Sequence, residues 1–271
     1  MNRPPEIADR LKVAVPAALE AGRLTLTFFQ QELEIEYKAD QSPVTAADRQ
    51  AEQLLRERIG AAFPDDAILG EEFGEQPGSS GFRWLLDPID GTKSFICGVP
   101  LYGTLVAVER AGRSLLGVIC FPGLDQYIYA GLGHGAWHCR GNTPPSPARV
   151  RSRHQLDGAV FLTSQRDLFA ARGADDVYQA LERRASITRT WGDCYGYLLV
   201  ATGRADLMVD PEVSPWDTAA LQPILEEAGG ALTDWQGRPG FQAGEAIGCS
   251  RELLEHLLPV TRPFARKPSP L

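Results

Sequence analysis

The chain has 271 residues, 44% of them hydrophobic and 23% charged, so it can bury roughly 75% of the surface its unfolded form exposes, which excludes disorder, collagen and coiled coil. Lys and Arg number 27 against 35 Asp and Glu, a net charge of −8, the wrong sign for gripping a phosphate backbone, so nucleic acid is excluded as the main partner. The five cysteines lack a CxxC pair, the N-terminus lacks the apolar core of a signal peptide, and no apolar run nears the roughly 20 residues that span a bilayer, so a reduced, cytoplasmic protein off the membrane is expected.

Ile7, Leu11, Val15, Ala18, Leu26 and Phe29 recur at helical spacing and predict an amphipathic helix to about Gln30, with Pro16 as a candidate kink. A second helix is expected from the Ser42-Pro43-Val44-Thr45 segment. Thr45 and Asp48 have the T-x-x-D spacing of a capping box, Leu54, Leu55 and Ile59 supply a buried face, and Pro64-Asp65-Asp66 ends it. Short apolar segments at 67–70, 84–86, 102–109, 114–121 and 126–130, bounded by Gly, Pro and Asp, read as strands. Turns at Ala111-Gly112-Arg113 and Pro122-Gly123 make the first half an antiparallel sheet. The segment 141–147 is the candidate boundary between an N-terminal half, 1–145, and a smaller α/β half, 146–271. In the latter, strands at 159–163, 186–190, 207–209 and 231–234 alternate with helices at 174–184, 195–201, 216–228 and 251–257, and the tail 262–271 is expected to fray.

The chemistry concentrates in Trp84-Leu85-Leu86-Asp87-Pro88-Ile89-Asp90-Gly91-Thr92, where an apolar strand runs into two carboxylates, a glycine and a hydroxyl. Pro88 stops the ladder, Gly91 permits close backbone approach, and Thr92 can open a short helix with outward amides, so cation ligands meet an anion seat. A hard cation such as Mg²⁺ takes carboxylate oxygens with phosphate and water, and Glu71-Glu72 and Ser214-Pro215-Trp216-Asp217 could complete such a set. Taken singly, D-x-x-D-G is more often a turn, Glu71-Glu72 a solvated loop, Asp48 and Asp217 helix caps. An EF-hand is excluded because its twelfth position would be Gly98, a cysteine phosphatase because Pro145 stands where its arginine belongs, and Gly131–Gly135 reads as a hairpin because Ala136 replaces the last glycine of GxGxxG.

Thr45-Ala46-Ala47-Asp48, Gly70-Glu71-Glu72, Asp87-Pro88-Ile89-Asp90-Gly91-Thr92 and Trp216-Asp217 resemble, in order and spacing, the signatures of the inositol monophosphatase family of metal-dependent, lithium-sensitive phosphatases. Lys93-Ser94-Phe95-Ile96, Pro100-Leu101-Tyr102-Gly103-Thr104-Leu105 and Trp191-Gly192-Asp193-Cys194-Tyr195 are most similar to its histidinol-phosphate phosphatase branch. The resemblance implies a layered αβαβα sandwich, a homodimer, and two to three Mg²⁺ per subunit. By position, Glu71, Asp87 and the Ile89 carbonyl would hold the first metal, Asp87, Asp90 and Asp217 the second, and a weaker third would sit near Glu71. Thr92, paired with Asp48, would orient the attacking water, with Glu71 completing the catalytic set, and the amides of Gly91 and Thr92 would cradle the phosphate.

Where the inositol phosphatases carry G-T/S-A and a Glu seven residues before the W-D aspartate, this chain has Gly192-Asp193 and Asp210. Two carboxylates facing the leaving group suit a cationic amine better than a neutral polyol, although Asp193 could cap a helix and Asp210 belong to a turn. Arg189 could meet substrate or lie exposed, and Trp191, Tyr195 and Tyr197 could line a ring pocket or pack in the core. His134, His138, His154 and His256 have no partner at metal-ligand spacing. The expected function is hydrolysis of L-histidinol phosphate in histidine synthesis. The alternatives are inositol 1-phosphate or another sugar phosphate, and a silent metal-binding module, against which stands the presence of every expected ligand.

Overall fold

The computed structural model describes residues 5–32, 34–38 and 42–266. Helix α1 (Pro5–Leu26) buries Ala14, Ala17, Ala18 and Ala21, small residues that let it lie close to a sheet, and keeps Pro16 in its interior. It ends before Gln30 because the Thr25 and Thr27 hydroxyls donate back to the Gly22 and Leu24 carbonyls and Gln30 turns to a φ of 59°. Strands β1 (Glu36–Tyr37) and β2 (Pro43–Val44) pair antiparallel. Helix α2 (Ala46–Ala62) starts at the expected capping box, with Leu55 and Ile59 fully buried and Leu54 half-buried.

Strands β3 (Ala67–Gly70), β4 (Gly74–Gln76) and β5 (Phe82–Asp90) lead to the short helix α3 (Thr92–Ile96). Then follow β6 (Gly103–Arg110), β7 (Arg113–Phe121), β8 (Gln126–Gly131), β9 (Gly135–Arg140) and β10 (Ser146–Pro147). The eight-stranded sheet has the order β10-β9-β8-β7-β6-β5-β3-β4. It is antiparallel as expected except between β3 and β5, which run parallel with Gly70 paired to Leu86. That exception brings the C-terminal ends of both strands to the same edge.

The second half adds β11 (Val160–Leu162), α4 (Asp167–Ala171), α5 (Asp175–Arg184), β12 (Ile187–Arg189), α6 (Asp193–Ala201) and β13 (Leu207–Asp210). It continues with α7 (Pro215–Ala219), α8 (Leu221–Glu227), β14 (Gly230–Thr233), β15 (Ala246–Ser250) and α9 (Arg251–Thr261). Its sheet has the order β12-β11-β13-β15-β14, parallel from β12 to β13 and antiparallel at β15. The helix expected over 216–228 breaks in two because Pro223 has no N–H to offer the Ala219 carbonyl, which instead accepts the Ser114 hydroxyl at 2.6 Å. Strand β15 escapes prediction because it is short and carries Gly248, whose absent Cβ makes room for the Tyr197 ring.

Helices α1 and α2 cover one face of the large sheet over a core that includes Trp84, Leu86 and Val106. Helices α6 and α8 fill the space between the two sheets around Leu85, Leu105, Ile119 and Leu225, and α4, α5 and α9 cover the far face of the small sheet. The layers therefore stack αβαβα, as expected. The segment 262–266 is not frayed: the Thr261 hydroxyl donates to the Trp235 carbonyl and the Arg266 amide donates to Glu245, so this segment is docked against the connection between β14 and β15. Residues 267–271 of the expected frayed tail lie outside the described residues. Among the described residues, no helix is long and apolar enough to cross a membrane.

Candidate active site

The parallel β3–β5 register places Glu71 beside Asp87, and the Glu71 amide continues the ladder by donating to the Leu86 carbonyl at 3.2 Å. Beyond Asp87 the pairing of β5 with β6 shifts register, since Pro88 cannot donate, and the Thr104 hydroxyl donates to the Pro88 carbonyl at 2.8 Å. The Ile89 amide donates back to Asp87 Oδ1 at 3.1 Å, fixing that carboxylate across the bulge. Gly91 then turns the chain at a φ of 88° into α3, and a Cβ there would lie 2.9 Å from Asp193 Oδ2, so conformation and space both demand glycine. The Thr92 hydroxyl donates to the Ile89 carbonyl at 3.0 Å.

From the opposite side, α7 begins with a capping box in which Asp217 accepts the Ser214 amide at 2.8 Å. This brings one carboxylate oxygen each of Asp87, Asp90 and Asp217 within 4.8 Å of one another. Burial, followed by the charge of Glu71 and the neighbouring aspartates, pushes Asp87 well above the ordinary carboxylate range. Burial, Asp193 and Asp217 do the same to Asp90, against the Cys194 amide that donates to it at 2.5 Å. Burial pushes Asp217 up to about 7. Carboxylates crowded this closely out of water need a counter-charge. Several carboxylates together with the Ile89 carbonyl form the all-oxygen donor set that suits a hard divalent cation.

The Glu71-Glu72 turn is held from beneath by Glu52 of α2. Its fully buried carboxylate accepts the Glu72 amide at 2.8 Å, the Phe73 amide at 3.2 Å and Arg56 Nε at 2.8 Å. Lys38 Nζ bridges Glu71 and Glu72 from above at 2.7 and 2.8 Å. Sequence reasoning missed both residues. Asp48 is buried, with Oδ2 accepting both the amide and the hydroxyl of Thr45, and burial lifts it to about 6. Its expected partner Thr92 is turned to Ile89 instead.

Lys38, Glu71, Asp87, Asp90 and Asp217 line a cleft of about 900 Å³, together with Gln165, Leu168, Trp191, Asp193, Glu212 and Val213. Trp191 stands at its mouth, 43% exposed. Asp193 starts α6 at a φ of 52° with its amide bonded to Ser164 Oγ at 2.9 Å, and burial lifts its carboxyl to about 6.

Two expectations, for Asp210 and Arg189, need correction, and the open reading of the aromatics is resolved. Asp210 borders the cleft but does not offer its carboxylate freely: Oδ1 accepts the Thr163 hydroxyl and the Ser164 amide at 3.1 and 2.8 Å, and Oδ2 accepts the Tyr197 hydroxyl at 2.8 Å. Of the aromatics left open between ring pocket and core, Tyr195 packs edge-on against Phe121, Tyr197 is buried in the core yet borders the cleft, and Trp191 lines it. Arg189 lies on the exposed edge strand β12 with its guanidinium on the Thr188 carbonyl, apart from the cleft lining. Glu212, absent from the expected set, does line the cleft.

The sequence profile of the inositol monophosphatase family matches residues 6–263. The chain belongs to this family. It is 44% identical over 238 residues to the histidinol-phosphatase of Chlorobaculum parvum, covering 88% of this chain and 90% of that protein. It is also 32% identical over 268 residues to the inositol-1-monophosphatase of Rhizobium meliloti, covering 96% and 97%. Among solved structures, the extragenic suppressor protein suhB from Bartonella henselae superimposes with a TM-score of 0.84 at 27% identity, over 93% of this chain and 98% of that one. The chain is thus a phosphoric monoester hydrolase of a metal-dependent family.

Proposed function

We propose that this chain hydrolyses L-histidinol phosphate to L-histidinol and phosphate with Mg²⁺, two to three ions per subunit, as a cytoplasmic homodimer in histidine synthesis. The 1–145 half carries most of the metal-binding groups and the 146–271 half selects the substrate. The observation that carries the reading is Asp193: a carboxylate seated directly over the Gly91 turn, where the leaving group of a phosphate held at Gly91 and Thr92 must lie, and suited to a protonated amine.

Glu71, Asp87 and the Ile89 carbonyl would hold one cation, and Asp87, Asp90 and Asp217 would hold another. Bound there, such ions lower the pKa of the attacking water and stabilise the leaving oxygen in an in-line displacement. The chain's own groups do the rest. The amides of Gly91 and Thr92 orient the phosphoryl oxygens, the Thr92 hydroxyl directs the water, and Asp48, whose bonds to Thr45 both fall on Oδ2, takes up the proton at Oδ1. Lys38 must leave Glu71 for a cation to take its place.

The test is phosphate release, with Mg²⁺ and with EDTA, from L-histidinol phosphate, inositol 1-phosphate, fructose 1,6-bisphosphate and adenosine 3′,5′-bisphosphate, compared by kcat/KM. Preference for L-histidinol phosphate supports the reading. Preference for a sugar phosphate keeps the metal chemistry and discards the role given to Asp193, and no turnover on any of them favours a silent metal-binding module.

A further inference from the structure

Asp193 adopts a left-handed backbone, φ 52°, a conformation that is unfavourable for a non-glycine residue and persists only where its surroundings impose it. The imposing groups can be followed one by one. The Asp193 amide donates to Ser164 Oγ at 2.9 Å. The preceding Gly192 is pressed against Ser164 so closely that a Cβ would strike Ser164 Cα. Ser164 in turn is held by its own amide, which donates to Asp210 Oδ1 at 2.8 Å, while the adjoining Thr163 hydroxyl takes the same oxygen. Asp210 is 1% exposed, and its second oxygen is occupied by Tyr197 of α6, the helix that Asp193 begins. The Asp210 carbonyl is fixed as well, by Trp235 Nε1 at 3.1 Å.

We propose that Asp210 is a positioning residue for Asp193, acting through Ser164, and that this relay sets the preference for a leaving group bearing a protonated amine. Asp210 ties the end of β11 to α6, and Ser164, just past β11, holds the first residue of α6 so that the Asp193 carboxylate stays over Gly91. A carboxylate free to rotate away would lose orientation toward the ammonium without disturbing the phosphate or the metal-binding groups. This inference rests on the amine-binding reading of Asp193 and adds to it which residues hold that carboxylate in place.

The experiment measures kcat/KM of the full chain at saturating Mg²⁺ on L-histidinol phosphate and inositol 1-phosphate for wild type, S164A, D193N and the double variant. D210N, which keeps the side chain's shape but weakens the acceptor of the Ser164 amide, serves as a second probe of the relay. The S164A variant should lower the ratio of amine to polyol activity about tenfold, through KM for the amine, the size expected for one hydrogen bond that orients a charged contact. D193N should lower that ratio at least as far, and the double variant no further than D193N, because Ser164 acts only through Asp193. A ratio unchanged in S164A and D210N while D193N lowers it overturns the relay alone, as does a double variant whose losses multiply. Equal losses on both substrates in S164A mean a merely structural role and also overturn it. A ratio unchanged in D193N removes the amine-binding role of Asp193 and the relay with it.

Discussion

Stripped of divalent cations, the protein should be more stable at about pH 6 than at about pH 7.5, because it buries carboxyls in and around the cleft whose folded-state pKa lies well above the usual value near 4. Burial pushes Glu72 and Asp217 up to about 7 and Asp48 and Asp193 up to about 6, and it acts with neighbouring carboxylates to hold Asp87 and Asp90 high as well. A group raised on folding binds a proton in the folded chain that the unfolded chain, still ionised, does not. Its contribution is therefore gained as pH falls through the folded pKa and lost as pH rises through it. Each proton taken up is worth about 1.4 kcal/mol per pH unit, so one to two protons shared across this coupled set give about 2–4 kcal/mol between the two conditions. His138 works in the opposite sense. Burial, Arg204 and Arg140 hold it down to about 4, so it costs stability as pH falls below its unfolded value of about 6.5, which takes back about 0.8 kcal/mol at pH 6 and leaves a net gain of about 1–3 kcal/mol. The assay is the urea midpoint at both pH values, in EDTA and in saturating Mg²⁺. With Mg²⁺ the counter-charge comes from the ion and the pH 6 advantage should vanish. Metal-free protein that loses stability on going from about pH 7.5 to about pH 6 would refute the reasoning.

Asp87→Asn should abolish metal-dependent turnover by about three orders of magnitude or more with an unchanged circular dichroism spectrum; a substantially active variant removes Asp87 from the metal-binding set. Glu52→Gln keeps the side chain's size but weakens the acceptor of the Glu72 and Phe73 amides, so Mg²⁺ affinity by calorimetry should fall about tenfold and activity should recover at high Mg²⁺; unaltered affinity would show that the turn holds itself. Gly91→Ala must accommodate a φ of 88° and a Cβ 2.9 Å from Asp193 Oδ2, costing about 1–2 kcal/mol in thermal unfolding and more kcat/KM on the amine than on the polyol. Full retention of both would mean that Asp193 is not seated over this turn.

Much of the acidic site was legible because its residues announce themselves locally. Asp-Pro, Asp-Gly and the two capping boxes at Thr45 and Ser214 are turn and helix-start chemistry that no tertiary contact is needed to read. What sequence could not supply was the parallel pairing of β3 with β5, since the intervening β4 hairpin looks like one more antiparallel turn. Yet that pairing alone puts Glu71 beside Asp87. Glu52 did leave a signal. It follows Ala51 on the face of α2 that carries Asp48, Leu55 and Ile59, and a carboxylate on an apolar stripe has to be answered by donors. Lys38 and Glu212 left none, because a single charge on a loop has the same local pattern whether it faces solvent or a cleft.

The two departures from the inositol-phosphatase pattern, Asp193 and Asp210, looked equivalent in sequence and are opposite in the fold. Asp210 spends both oxygens on Thr163, Ser164 and Tyr197, and a carboxylate satisfied in this way gains little by approaching a ligand. Asp193 has its amide bonded and its carboxyl turned over Gly91, next to the phosphate seat. Charge balance gives this difference its consequence. The cations that Glu71, Asp87, Asp90 and Asp217 can hold neutralise those groups and the incoming phosphate, whereas Asp193 and the cleft-lining Glu212 stay outside that set. On the proposed reading, a neutral polyol must strip water from Asp193 for no ionic return, whereas an ammonium on the leaving group would repay that desolvation. On that reading, selectivity for an amine would come from the departure whose carboxylate faces the cleft, with the other, fully bonded within the fold, holding it in place.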